Sequence, residues 1–227
     1  MTPILNTIAK QHVGKEYNVD GKTDTITFQE VDQLVSNFPP CMRALHYALR
    51  QEAHLKHFGR LQYGLFLKGI GLPVEEALLF WRKAFHKKSD DEFQKGYSYN
   101  VRYNYGMEGS RKNYAPYSCV KIITQNAPGS GDHHGCPFKH YSPDSLRETL
   151  INYGAPESNA SEIIKIARQG HFQVACTRFF EITRKNGSLS DLQGSDNGLA
   201  MDVIEHPNAW FDMSLKGGKS EEVSAME

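Results

Sequence analysis

Cysteine offers the widest chemistry in this 227-residue chain, which has four: Cys41, Cys119, Cys136 and Cys176. None belongs to a Cys-x-x-Cys pair, which excludes zinc-ribbon and thioredoxin-type motifs. Cys41 follows Pro39-Pro40 at the start of a helical pattern, and Cys119 follows Tyr-Ala-Pro-Tyr-Ser. Cys136 lies in Gly-Asp-His-His-Gly-Cys-Pro-Phe, and Cys176 sits within an amphipathic run. A Pro and a Phe directly after a thiolate ligand would fix its loop and shield the sulfur from water. Spacing alone leaves three readings open. Buried unliganded thiols are the favoured one, because Cys is often a small core residue; a four-cysteine zinc site and a [4Fe–4S] cluster are the others. Asp132, His133 and His134 could be assembled with Cys136 into a mixed zinc site, but beside four cysteines they read as loop groups. Gly129-Ser130-Gly131 has neither the dinucleotide spacing nor the Gly-Lys-Ser/Thr of a P-loop.

A second set of residues suits phosphate. His54, Lys56, His57 and Arg60 fall within seven positions, and Lys68 follows between glycine-rich apolar stretches. Arginine offers a bidentate fork, lysine a point charge, and histidine a donor whose charge a phosphate favours. The competing reading is a solvated helix end with cations near its C-terminal dipole. In Lys-Gly-Tyr-Ser-Tyr-Asn-Val-Arg-Tyr-Asn-Tyr-Gly (residues 95–106), apolar residues alternate with polar ones, a strand-like period of two. Read as a helix, the same stretch pairs Tyr99 with Tyr103, and Tyr97 with Val101 and Tyr105. The strong helical pattern just before it favours helix.

The net charge of zero hides an uneven distribution. Residues 41–112 hold thirteen Lys and Arg against seven Asp and Glu, whereas residues 190–227 hold two against eight. A basic, aromatic-rich segment suits a polyanionic partner, and a solvated basic face is the equally weighted alternative. No apolar stretch is long enough to span a bilayer, and the first residues lack the pattern of a signal peptide. The expectation is a reducing compartment and no membrane. No close carboxylate pair is placed to hold two metal ions, and no dinucleotide fingerprint is present, so the chain is not expected to be catalytic on its own.

The elements that must position these residues are mainly helical. Thr27-Phe-Gln-Glu30 reads as a capping box opening a short helix that stops before Pro39-Pro40. One helix is expected from Cys41 to a stop at Gly59, another from Pro73, and a third from the Ser142 cap with Pro143 at its first position. Asn159 to Glu162 is expected to open the next, and residues 171–185 continue in helical spacing. From about Asn186 the signals thin, and the last dozen residues read as a disordered tail.

Taken in order, Phe-Pro-Pro-Cys-Met-Arg-Ala-Leu-His-Tyr-Ala-Leu-Arg, Gly-Leu-Phe-Leu-Lys-Gly-Ile-Gly-Leu, Lys-Gly-Tyr-Ser-Tyr-Asn, Gly-Asp-His-His-Gly-Cys-Pro-Phe and Val-Ala-Cys-Thr-Arg-Phe-Phe-Glu form a specific set. Together these segments resemble the C-terminal iron–sulfur domain of the large, regulatory subunit of eukaryotic DNA primase. The resemblance covers about residues 38–185 and extends more loosely to His-Pro-Asn-Ala-Trp-Phe at 206–211. It implies a [4Fe–4S] cluster held by Cys41, Cys119, Cys136 and Cys176, chiefly as a structural staple; a structural zinc ion on the same cysteines is the alternative. It implies that His54, Lys56, His57, Arg60 and Lys68 grip the 5′-triphosphate of an RNA primer and the paired template. Tyr97, Tyr99 and Asn100 would lie beside the nucleic acid, with Tyr103 and Tyr105 in packing roles.

The implied fold is mainly α, two helical subdomains around the cluster with a small amount of β. Residues 1–37 would be a lead-in, 38–112 a nucleic-acid-binding subdomain, 113–190 a cluster-binding subdomain, and 191–227 a loop and acidic tail. The implied partners are an RNA-primed DNA template, the catalytic small subunit of primase, and DNA polymerase alpha, all in the nucleus.

Overall fold

The computed structural model describes the backbone of residues 17, 25–184 and 201–224, and side chains through residue 216. Helices dominate, and the described residues hold an isolated antiparallel bridge between Tyr105 and Asn113. No helix among them is long and apolar enough to cross a membrane.

Among the described residues, the first helix is α1 (Val31–Leu34), followed by a short 3-10 turn. The Thr27–Glu30 pair is present in a one-sided form, the Glu30 carboxylate accepting from both the Thr27 amide (2.7 Å) and its hydroxyl (2.8 Å). Helix α2 (Pro40–Glu52) starts on Pro40, whose fixed φ suits a first helical position, and buries Met42, Leu45 and Leu49. The single helix expected through Gly59 is instead two. Ala53 takes a left-handed conformation (φ 58°), donating its amide to Leu49 O, and α3 (His57–Gly69) restarts the chain. Gly59 is buried inside α3 rather than ending a helix. His54 and His57 therefore do not share a helical face.

Helix α4 (Val74–Ala84) is capped by Pro73. Helix α5 (Asp90–Phe93) begins with a full Ser89/Glu92 capping box, which continues through a π-helical turn (Gln94–Ser98) into α6 (Tyr99–Asn104). The tyrosine-rich stretch is thus helical, and Tyr99 stacks on Tyr103 at 6.1 Å. Ring packing along a helix face outweighs the local alternation.

The second half holds α7 (Cys119–Thr124), α8 (Pro137–His140), α9 (Pro143–Asn152), α10 (Glu157–Arg168) and α11 (Phe172–Arg184). Ser142 caps α9 as expected, while α10 starts on Pro156, ahead of the Asn159 expected to open it. Helix α12 (Pro207–Ser224) corrects the expectation of loop and tail from residue 191 onward. Asn208 Nδ2 donates to Phe66 O (3.0 Å), and Gly69 permits that approach: a Cβ there would sit 2.5 Å from Asn208 Nδ2. Residues 185–190, the end of the expected cluster-binding subdomain, and residues 191–200 and 225–227 of the expected loop and tail lie outside the described residues.

Two hydrophobic cores result. The first gathers Phe38, Leu45, Tyr63, Phe66, Phe80 and Phe85 from the N-terminal helices; the second gathers Leu150, Ile163, Ala175, Phe179 and Trp210. Each large side chain among them contributes about 2–3 kcal/mol by burial. Cys136 packs against both cores, and α12 places Phe211 in the first and Trp210 in the second. The seam between the cores is where the cysteines meet.

Candidate cysteine centre and nucleic-acid face

Cys41, Cys119, Cys136 and Cys176 all line one cavity, together with Pro39, Ile122, Phe138, Phe172, His206 and Trp210 among others. Four segments that are far apart in sequence converge there. Three of the cysteines occupy helix starts: Cys41 is the second residue of α2, Cys119 the first of α7, and Cys136 the cap of α8. Cys176 projects from the middle of α11. The helix starts matter because free backbone N–H groups favour negative charge at sulfur. At Cys136 the amides of Phe138 and Lys139 act in this direction, and at Cys41 those of Met42 and of Cys41 itself.

Burial is the larger effect and acts oppositely. It pushes the Cys136 thiol up to about 11 and raises Cys41, Cys119 and Cys176 well above the usual thiol range. Neighbouring cysteines add to the rise at Cys41, Cys119 and Cys176, because no thiolate tolerates another beside it. Four thiols that resist ionisation individually become good ligands only when a cationic centre takes the charge of all four. The donor set fits a [4Fe–4S] cluster, which needs four thiolates in an apolar shell. Among the described residues, no three Cys, His, Asp or Glu donors are gathered closely enough to hold a single metal ion.

The Cys136 loop is held from outside by residues that no motif announces. Gln62, fully buried on α3, accepts from Gly135 N (2.8 Å) and donates to Gly135 O (3.3 Å). Gly135 itself has φ +92°, and a Cβ there would lie 2.8 Å from His140 Cδ2. His133 reaches Glu52 (2.7 Å), and His134 bonds Asn126 O (3.0 Å) with its ring 5.2 Å from that of Phe58. These histidines are loop contacts. Asp132 also serves the loop, accepting from Gly129 N (3.1 Å).

The phosphate-suited residues separate into groups. Arg60, Tyr97 and Asn100 line one small pocket with Trp81, Phe85 and Asn104. Arg60 Nη1 donates to Leu55 O (2.7 Å), and its guanidinium lies 5.0 Å from the Tyr97 ring centroid. His54 joins this group, with Nε2 3.4 Å from Tyr97 Oη. Burial, then the charges of Arg60 and Lys88, hold His54 below the ordinary imidazole range. Tyr97 is half-buried against Phe85 (4.8 Å), so it serves core and surface at once. Asn100 and Tyr99 are exposed. His57 is exposed at the start of α3, and exposed Lys56 crosses to Ser130 O (2.6 Å) on the Cys136 loop.

Lys68 stands apart. Its ammonium donates to Asn104 O (2.8 Å), Tyr114 O (2.7 Å) and the Asn113 side chain, which uses all three protons. Burial lowers its pKa to about 8. Lys68 clamps α3 to the 104–114 segment, a task that its sequence neighbours do not reveal. Tyr105 packs as expected, donating to Leu72 O (2.6 Å), and Tyr103 meets Tyr114 through their hydroxyls (2.9 Å).

Fold and site together define a two-core helical domain built around four convergent cysteines, with a basic and aromatic face beside them. The family model for the eukaryotic and archaeal DNA primase large subunit, C-terminal domain, matches residues 32–211, and the chain belongs to this family. It is 44% identical over 225 residues to the DNA primase large subunit of Mus musculus, covering 96% of this chain and 42% of that protein. Against the Homo sapiens DNA primase large subunit, identity is again 44% over 225 residues, with the same shares covered. Against that of Schizosaccharomyces pombe it is 45% over 220 residues, 95% of this chain and 46% of that protein. The chain spans less than half the length of these relatives.

Proposed function

We propose that this chain is the non-catalytic iron–sulfur domain of a nuclear DNA primase, and that it binds the junction of an RNA-primed DNA template and the primer's 5′-triphosphate. Cys41, Cys119, Cys136 and Cys176 would hold a [4Fe–4S] cluster. When bound, the cluster supplies a cross-link between the two cores. A single zinc ion, which needs every sulfur about 2.3 Å from a shared centre, is the alternative occupant of the same four cysteines.

The observation that carries the reading is the lacing of the Cys136 loop to the segment bearing the phosphate-suited residues. Glu52 to His133, Lys56 to Ser130, Phe58 to His134 and Gln62 to Gly135 join residues 52–62 to residues 130–135. Fixing the cysteines therefore fixes the connector that presents His54, Lys56, His57 and Arg60. Arg60 keeps guanidinium N–H groups beyond the one given to Leu55 O, while Tyr97 supports it from below. A triphosphate arriving beside His54 would draw a proton onto its imidazole and gain a second cation. Exposed Tyr99 and Asn100 offer a stacking surface and hydrogen bonds to the adjoining strand. Lys68 contributes as a structural clamp.

In this role the domain retains the primer's 5′ end while the catalytic small subunit extends the 3′ end. Retention supports initiation, limits primer length, and presents the product to DNA polymerase alpha. The test compares binding of primed templates carrying 5′-triphosphate or 5′-hydroxyl RNA ends at one fixed salt concentration. Tighter binding of the triphosphate supports the reading, and equal affinity overturns the triphosphate grip.

A further inference from the structure

Among the described residues, two nitrogen donors in the cysteine cavity have no hydrogen-bond partner. Gln173 and Trp210 both line it, and both Gln173 Nε2 and Trp210 Nε1 are buried without one. Trp210 is 1% exposed, so water offers no remedy. An indole N–H only donates, and a buried donor without an acceptor costs free energy that packing must offset. The protein wall supplies little to accept. Apart from the cysteines, the lining is largely Pro, Ile and Phe, and His206 already accepts the Asn208 amide on Nδ1 (3.1 Å).

Position reinforces the pattern. Gln173 lies three residues before Cys176 on α11, so the two side chains share a helix face. Trp210 comes from α12, its ring stacked on Phe179 (5.9 Å, 15°) and set edge-on to Phe180 (4.7 Å, 83°). This clamp leaves the indole little freedom to turn its N–H elsewhere. A cavity with four cysteine sulfurs and two orphaned donors matches a ligand whose surface is rich in negative acceptors.

We propose that Gln173 and Trp210 are positioning residues whose N–H groups donate to the sulfur atoms of the iron–sulfur cluster. This rests on the cluster reading above and adds which side chains tune it. Donation to sulfur stabilises the more negative, reduced form, so it raises the reduction potential and orients the cluster.

The test uses the whole chain purified without oxygen. Trp210→Phe keeps the ring and deletes the donor, and Gln173→Leu deletes the other. With iron and sulfide content retained, each variant is expected to titrate at a more negative potential than the parent, and the double variant further still. Unchanged potentials with full iron content overturn the inference and leave the cluster reading intact. Absence of iron from the parent protein overturns the reading on which it rests. Where a variant fails to fold, the parent protein is labelled with indole-15N tryptophan in a Trp81→Phe background, which leaves Trp210 as the sole tryptophan. Hyperfine coupling of that nitrogen to the reduced cluster supports the bond, and no coupling overturns it.

Discussion

The cysteine cavity and the Arg60 pocket are built by opposite means. The cavity is apolar, draws cysteines from four distant segments, and lies on the seam of two cores. The pocket is basic and draws from neighbouring stretches of α3, α4 and the α5–α6 run. Its cation is already supported: Arg60 has a carbonyl and an aromatic face beneath it. The cavity's thiols are held in a protonation state unsuited to their proposed work until metal arrives. On the proposed reading, one site would be completed by its cofactor, while the other is largely organised before its ligand comes.

This contrast can be broken most forcefully at a ligand. Cys176→Ser is expected to abolish iron binding and to cost roughly 2–5 kcal/mol of stability, the scale of losing a covalent cross-link. Full iron content and unchanged denaturant midpoint in that variant would refute the staple. Gly135→Ala should cost about 2 kcal/mol, because φ +92° and the close His140 ring both oppose a side chain. Its effect should appear in iron retention as well as in melting, and unchanged retention would sever the loop from the centre.

Acidity should separate the two sites by sign. The raised thiol pKa values mean that ligation releases protons, so iron retention should weaken as pH falls. His54 is held low in the free protein and would be raised by a bound phosphate, so binding takes up a proton. Triphosphate affinity should therefore increase as pH falls through the usual imidazole range, while the cluster is intact. Titrations that move in the same direction would contradict the assignment.

The smallest effects distinguish Arg60 from Lys68. Arg60→Ala should weaken triphosphate-ended primed template about tenfold, or ~1.4 kcal/mol, with little change for hydroxyl-ended template. Lys68→Met should instead cost about 1 kcal/mol of stability and leave affinity unaltered. Loss of binding in Lys68→Met without loss of stability would return that lysine to the phosphate face.

Much of this organisation is legible in the residues themselves. The Ser142-Pro143 start and the periodicity of residues 172–184 are local signals, and both elements form where expected. The break after Glu52 is not legible, because nothing in Ala53 signals a left-handed cap. Helix α12 escapes for a related reason. Its Gly-Gly pair and acidic end read as loop, whereas Asn208, Trp210 and Phe211 dock it onto both cores. At the site, four cysteines could be named from their segments, but Gln62 and Gly135 could not. Their bond spans 73 positions and belongs to no motif. The internal partners of Lys68 are hidden for the same reason: its acceptors lie 36 to 46 residues away.

The central claim is that one cluster on four cysteines holds the two cores together and fixes the connector bearing Arg60. Iron, acid-labile sulfide and zinc analysis of the chain purified without oxygen tests it most directly. A brown protein with about four irons and four sulfides per chain is the predicted result. A colourless protein carrying one zinc ion, or no metal with the fold intact, would contradict it.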